Sequence, residues 1–85
     1  MLYLILFSET PMETYIDVFI NADGEKASLI FEKLTKMGLK YYIGEHDFIY
    51  NWKRIASIEE ELDFVDRIQE KLKGTGTLLK FTTVR

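Results

Sequence analysis

Two helical segments, each enclosed by β-rich runs, constrain the fold of this chain more than any other sequence feature. The first ends at Gly38, where a left-handed cap residue is expected, and Asp23 in the preceding turn is predicted to cap its start. The second opens with Ser57-Ile58-Glu59-Glu60, a capping box in which Ser57 caps the helix and Glu60 reaches back. Residues spaced by three and four predict the buried stripes Ala27, Ile30, Phe31, Leu34 and Met37, and Ile58, Leu62, Val65, Ile68 and Leu72.

The β-rich runs lie between and after these helices. Leu39–Ile43 and Phe48–Trp52 enclose the turn Gly44-Glu45-His46-Asp47, and this pattern predicts a hairpin. Thr77–Val84 follows the turn Gly74-Thr75-Gly76 and is predicted to be the last strand.

Two segments near the N-terminus complete the pattern. Thr14–Ile20 fits a helix with an apolar stripe behind a capping signal, but three β-branched and two aromatic residues in seven positions favour a strand. Leu2–Phe7 is apolar at every position, which suits a strand covered on both faces.

From residue 14 onward the predicted order is strand, helix, strand, strand, helix, strand. Right-handed crossovers then place both helices on one face of a four-stranded antiparallel sheet. The predicted fold class is α+β, a ferredoxin-like βαββαβ two-layer sandwich of the dimeric α+β barrel type. A chain of 85 residues has room for one core. We therefore expect one domain over residues 1–85, with residues 1–13 as an extra strand and turn and residues 14–85 as the core.

Such a sandwich leaves one sheet face without helices, and period two places large apolar groups on both faces. A second copy of the chain, stacked bases or the N-terminal segment are the three candidate covers. A net charge of −3 and a single adjacent basic pair, Lys53-Arg54, weaken the nucleic-acid hypothesis. We therefore expect a homodimer or higher homo-oligomer. The residues predicted for its interface are Tyr15, Phe19, Phe48, Tyr50, Trp52 and Phe81.

His46 is the only histidine and lies between two acidic residues at the predicted hairpin tip. An acid–base pair and a metal site are alternatives there, but neighbouring turn residues point in different directions and are usually solvated. The chain has no cysteine, so it has no disulfide and no thiolate metal site. We predict no catalytic residue, metal or cofactor.

No apolar run is long enough to span a membrane, and we expect a cytoplasmic protein.

Two stretches, Tyr41–Ile49 and Ser57–Phe64, resemble the ligand-sensing domain of the Lrp/AsnC transcription regulators, an ACT-like domain of the dimeric α+β barrel type. In that family a strand runs into a Gly-x-x-Asp turn and an apolar strand. A helix of the type Ser-x-Glu-Glu-Leu follows, and then a Gly turn and a Thr-rich strand, which here is similar to Gly74–Val84. The similarity covers roughly residues 14–85.

The resemblance implies a domain that dimerises through its sheet and binds small effectors, often amino acids, near the Gly-x-x-Asp turn. Carried over, Gly44 would let a ligand approach the backbone closely, and Asp47 would bind an ammonium group. Glu45 and His46 would line the same turn.

The predicted function is a non-catalytic small-ligand-sensing or protein-interaction domain that acts as a homo-oligomer. One alternative is a small dimeric α+β barrel enzyme that uses His46 and Asp47. Another is a protein that binds single-stranded nucleic acid on the aromatic sheet face.

Overall fold

A computed structural model of the chain describes residues 12–84, which form four strands and two helices. These are β1 (Glu13–Phe19), α1 (Ala27–Lys36), β2 (Lys40–Tyr41), β3 (Phe48–Asn51), α2 (Ile58–Leu72) and β4 (Leu78–Val84). The strand interpretation of residues 14–20 is therefore confirmed. The extra strand predicted near the N-terminus lies outside the described residues. Neither of these two helices is long and apolar enough to cross a lipid bilayer.

The four strands form one antiparallel sheet in the order β2-β3-β1-β4. Both helices contribute to a single core against one face of this sheet. The arrangement is a small α+β fold that is compatible with a ferredoxin-like sandwich. Its buried apolar residues are Met12, Ile16, Ile30, Leu34, Leu39, Phe48, Ala56, Phe64, Ile68 and Leu72.

The helix ends follow the sequence signals in two of three cases. The capping box of α2 is confirmed, since Glu60 N–H donates to Ser57 Oγ at 3.2 Å and Ser57 N–H donates to Glu60 Oε1 at 2.9 Å. Gly38 has φ +94°, a left-handed conformation that glycine adopts without steric cost. The capping role of Asp23 is wrong, because Lys26 is the N-cap residue of α1 and no side chain caps the start of this helix.

The predicted stripe of α2 is only partly right. Ile68 and Leu72 are buried, but Ile58 and Leu62 are 61% and 58% exposed, and Phe64 takes the central buried position. Residues two apart on an α-helix are related by a rotation of about 200° about the helix axis, so their side chains point to nearly opposite sides. One orientation of the helix therefore cannot bury both Leu62 and Phe64. The helix is rotated to bury the larger, aromatic side chain.

Phe64 is buried against aromatic residues at the end of β3. Its ring stacks on Tyr50 with centroids 4.5 Å apart and meets the edge of Trp52 at 5.2 Å. The indole N–H of Trp52 donates to Oγ1 of the buried Thr14 on β1 at 2.8 Å, so the polar atom of this large ring has a hydrogen-bond partner. The aromatic side of β3 therefore faces the helices.

This orientation corrects the face predicted for four interface residues. Phe48 is 0% exposed, and Tyr50, Trp52 and Phe81 pack against the core from the helix-covered side of the sheet. The alternation along each strand was right, but the choice of face was wrong, because period two does not say which set meets the helices. Tyr15 alternates with the buried Ile16 and lies on the other side, and so does Phe19.

The sheet face that neither helix covers, here called the open face, is mixed in character. Cross-strand partners share a face, so the register groups its side chains in rows. The rows are Phe19 with Leu78; Asp17 with Lys80; Lys40 with Ile49, Tyr15 and Thr82; and Asn51 with Glu13 and Val84.

The orientation of α2 predicts unequal costs for two alanine substitutions on this helix. Ile68→Ala removes a fully buried side chain and should lower the free energy of unfolding by about 2–5 kcal/mol. Leu62→Ala removes a side chain that is 58% exposed and should change it by less than about 0.5 kcal/mol. Urea unfolding at equilibrium measures both. Equal costs would contradict the helix orientation.

The ion pair at the start of α2 predicts an acid-dependent loss of stability. Hydrogen bonds from Arg54, and then from the Ser57 backbone, lower the pKa of Glu60 to about 2. Because the folded pKa lies below the unfolded one, the stabilisation is complete above pH about 4.5 and is lost as pH falls towards 2. Glu60→Gln keeps a capping acceptor but loses the ion pair. The wild type should therefore lose more stability between pH 5 and pH 2.5 than this variant.

Urea unfolding at these two pH values provides the measurement. Glu59→Gln, which removes the same charge from the same helical turn, is the control and should behave like the wild type. An equal acid dependence in the wild type and in Glu60→Gln would show that the pair with Arg54 does not carry the effect.

Candidate functional site

The hairpin tip between β2 and β3, residues 42–47, is held against β1 by backbone hydrogen bonds. Tyr42 N–H donates to the carbonyl of Asp47 at 3.0 Å and closes the turn, and Asp47 N–H donates to the carbonyl of Ile16 at 3.1 Å. The tip therefore has a defined position beside β1, and its side chains can reach the open face.

His46 is the tip residue that forms a specific polar contact on the open face. Its Nδ1 lies 3.1 Å from both carboxylate oxygens of Asp17 on β1. The two side chains are only 23% and 17% exposed. An ionised carboxylate only accepts hydrogen bonds, so Nδ1–H is the donor and Nε2 is the acceptor nitrogen of the neutral ring.

Two tyrosine rings surround this pair. The Tyr15 ring stacks on the His46 imidazole with centroids 4.7 Å apart, and Tyr42 lies 5.2 Å from Tyr15 and 6.3 Å from His46. Tyr15 Oη donates to Glu13 Oε1 at 2.9 Å. This hydrogen bond, followed by partial burial, raises the pKa of Tyr15 above its usual value. The phenol therefore stays protonated and uncharged at neutral pH.

The result is a cluster of Asp17, His46, Tyr15, Tyr42 and Glu13, here called the His46 cluster. It combines two carboxylates with three stacked or edge-packed rings on a half-buried surface. Carboxylates and aromatic faces both attract cations, so this chemistry suits an ammonium group. The imidazole held by Asp17 also has the arrangement that orients a general base. Within residues 12–84, no three His, Asp or Glu side chains converge as a metal-binding group.

Asp47, predicted to bind a ligand, makes a backbone contact to β1. Its Oδ2 accepts from Val18 N–H at 2.8 Å, where it replaces the next carbonyl of the β1–β3 ladder. Its carboxylate thus fastens the hairpin tip to β1. In the structure His46 pairs with Asp17, and not with Asp47, the residue that follows it in the sequence.

Gly44 makes room for an aromatic ring within the turn. A Cβ atom at this position would lie 2.8 Å from Cε2 of Tyr42, too close for an undisturbed contact. Glycine is therefore explained locally by the packing of Tyr42. Glu45 is exposed at the tip. The ligand-binding role predicted for Gly44, Glu45, His46 and Asp47 stays a prediction.

Sequence reasoning missed three members of the cluster, namely Asp17, Tyr42 and Glu13. Asp17 and His46 are 29 residues apart in the chain, and no local motif links them. One signal was present: Asp17 is an acidic residue in the middle of a β-branched, aromatic strand, where aspartate is disfavoured. A charge at such a position indicates a specific partner.

Comparisons with protein-family profiles, with curated proteins and with solved structures found no match for this chain.

The contact with Asp17 predicts the tautomer of His46. In the neutral ring the proton should reside on Nδ1, and Asp17→Ala should remove this preference because the acceptor is lost. Long-range ¹H–¹⁵N correlation spectra of the imidazole at alkaline pH distinguish the two tautomers. Asp47→Ala is the matched control and should leave the tautomer unchanged, since Asp47 bonds to Val18 N–H. A ring protonated on Nε2 in the wild type would contradict the contact.

Proposed function

We propose that this chain is a non-catalytic small-ligand-sensing or protein-interaction domain that acts as a homo-oligomer, similar to the effector-binding domain of the Lrp/AsnC regulators. The observation that supports this most directly is the position of the His46–Asp17 pair. These two side chains are largely buried, yet they lie on the sheet face that has no helix over it. A second copy stacked on that face would enclose the pair and form a ligand site.

The apolar part of the open face supports self-association. Phe19 and Leu78 form one row and are 55% and 71% exposed, and Val84 at the opposite end is 52% exposed. Two sheets pack face to face when both offer apolar area, and a two-fold axis needs only one self-complementary surface. Of the six residues expected at the interface, Tyr15 and Phe19 remain in this proposal.

The polar part of the same face indicates the class of ligand. Asp17 and Glu13 are acidic, and Tyr15 and Tyr42 present ring faces beside them. An amino-acid-like effector could place its ammonium group here, where carboxylate attraction and the aromatic quadrupoles act in the same direction. In this proposal Asp17 takes the role that the family resemblance had suggested for Asp47, because Asp17 contacts the His46 ring that stacks on Tyr15, whereas Asp47 contacts the backbone of β1.

A second candidate is a small enzyme that uses His46 as a general base. The contact of Nδ1 with both oxygens of Asp17 favours it, because a carboxylate that holds one imidazole nitrogen orients the other towards a substrate. His46→Ala would abolish turnover by such an enzyme and leave self-association intact. Nucleic-acid binding on an aromatic sheet face is not proposed, since Phe48, Tyr50, Trp52 and Phe81 are on the helix-covered side.

The test measures solution mass by light scattering, with and without a mixture of the twenty amino acids. The wild type should have at least twice the 10.0 kDa mass of one chain, and the amino acids should change its distribution of assemblies. Phe19→Glu places a charge on the open face and should give a monomer. Leu62→Glu changes an equally exposed apolar residue on the helix side and is the control, which should keep the wild-type mass.

Asp17→Ala distinguishes loss of ligand binding from loss of oligomerisation. This variant should retain the wild-type mass but no longer respond to the amino-acid mixture. A wild-type monomer under both conditions would contradict the proposal. So would a loss of assembly in Leu62→Glu but not in Phe19→Glu.

A further inference from the structure

A cleft opens at the edge of β3 where β2 ends. The two residues of β2 pair with Phe48 and Ile49. Within residues 12–84 no strand continues beside Tyr50 and Asn51 on that side of β3. The gap is a cleft of about 470 Å³, a volume within the range of small-molecule binding pockets.

Part of the lining of this cleft is aromatic and aliphatic. Tyr50 and Trp52 are half-buried and line it together with Ile49. The indole N–H of Trp52 already donates to Thr14, so the ring offers the cleft apolar surface. Gly38 borders the Tyr50 ring, and a Cβ atom at this position would lie 3.8 Å from Cε1 of that ring. A planar apolar group therefore has partners on this side of the cleft.

The charged residues that line the cleft are both basic. Lys40 and Lys53 are exposed, and within residues 12–84 neither ammonium group takes part in an ion pair. The described residues that line the cleft include no acidic one, although the whole chain has a net charge of −3. A cleft lined by charges of one sign attracts ligands of the opposite sign.

The backbone of Lys53 is strained. Its φ is +62°, and it is the one residue other than glycine with a positive φ within residues 12–84. Asn51 Oδ1 accepts from Lys53 N–H at 2.8 Å and holds this conformation. Glycine would adopt it without steric cost, and strained residues of this kind cluster at functional sites. A lysine here therefore indicates a role for its ammonium group.

A neighbouring cleft at the start of α2 shares both aromatic residues but differs in charge. Its Arg54 is in an ion pair with Glu60. Its Arg67 is in an ion pair with Asp63, and Glu59 is a further acidic residue that lines it. Acidic groups repel an anion, so the cleft at the edge of β3 is the better match for a negatively charged ligand.

We propose that the cleft at the edge of β3 binds a small aromatic carboxylate. The ring of the ligand lies against Tyr50 and Trp52, and its carboxylate lies between the ammonium groups of Lys40 and Lys53. Aromatic packing and attraction between opposite charges then act on one ligand. The cleft shares no residue with the His46 cluster, so the site is separate from the function proposed above.

Fluorescence of Trp52, the only tryptophan of the chain, measures occupancy of this site. The probe is 3-phenylpropionate, and 3-phenylpropionamide is the uncharged control ligand with the same ring and chain. We expect a saturable change in emission with the carboxylate and a higher Kd for the amide. Added sodium chloride should weaken binding of the carboxylate only, because salt screens exposed charges. In ¹H–¹⁵N spectra the amide signals of Asn51 and Lys53 should shift as the carboxylate binds.

Two variants each remove one of the two positive charges. They are Lys40→Ala and Lys53→Asn, and asparagine is used because it tolerates a positive φ. Each should raise the Kd of 3-phenylpropionate roughly two- to five-fold, the effect of one exposed ion pair, and leave the Kd of the amide unchanged. Arg67→Ala is the matched control. It removes a charge of the same sign from the neighbouring cleft and should keep the wild-type Kd.

Several results would overturn the proposal. One is a wild type in which 3-phenylpropionate changes neither the emission nor the amide signals. Another is an equal Kd for the carboxylate and the amide, and a third is the wild-type Kd in both lysine variants. A larger effect of Arg67→Ala than of either lysine variant would assign the ligand to the neighbouring cleft and also overturn it.

Phe19→Glu distinguishes this site from self-association. Phe19 lies in the row of the open face at the opposite end from Asn51. This variant should bind 3-phenylpropionate with the wild-type Kd, although we expect it to be a monomer. Loss of binding would place the ligand between two copies and overturn the proposal. A wild type that binds the carboxylate as a monomer would contradict the proposed oligomer but support this site.

Discussion

The packing of Phe64 against Tyr50 and Trp52 is the contact on which the rest of the structure depends. The centroids of the three rings are 4.5–5.2 Å apart, and the contact joins α2 to the end of β3. Each such aromatic pair contributes roughly 0.5–1.5 kcal/mol beyond the area that it buries. Once these rings are enclosed between helix and sheet, the pleat of the strands directs Tyr15, Asp17 and Phe19 to the opposite face.

This choice of face gives the open side of the sheet its chemistry. A face made of Phe48, Tyr50 and Trp52 would have been an apolar surface suited to stacking. The observed face instead has apolar residues at both ends and the His46 cluster between them. The large aromatic residues Phe48, Tyr50 and Trp52 pack with the core and are not part of the open face. The largely buried His46–Asp17 pair on this face constrains the chemistry of any group that packs over it.

The hairpin tip was predictable as a location but not as a set of contacts. The Gly-x-x-Asp turn predicted ligand-binding residues at positions 44–47. Of these, His46 belongs to a polar cluster in the structure. Its partner Asp17 comes from a strand 29 residues earlier, and the carboxylate of Asp47 is used to fasten the turn to β1. Contacts of this kind depend on strand register, and register is a property of the assembled sheet.

Local features were determined by the sequence alone. The order of strands and helices, the capping box at Ser57 and the left-handed Gly38 follow from interactions between residues a few positions apart. The covered face of the sheet, the rotation of α2 that exposes Leu62, and the pairing of His46 with Asp17 were decided only by the tertiary structure. Periodicity divides side chains into two sets, but only packing against another element decides which set is buried.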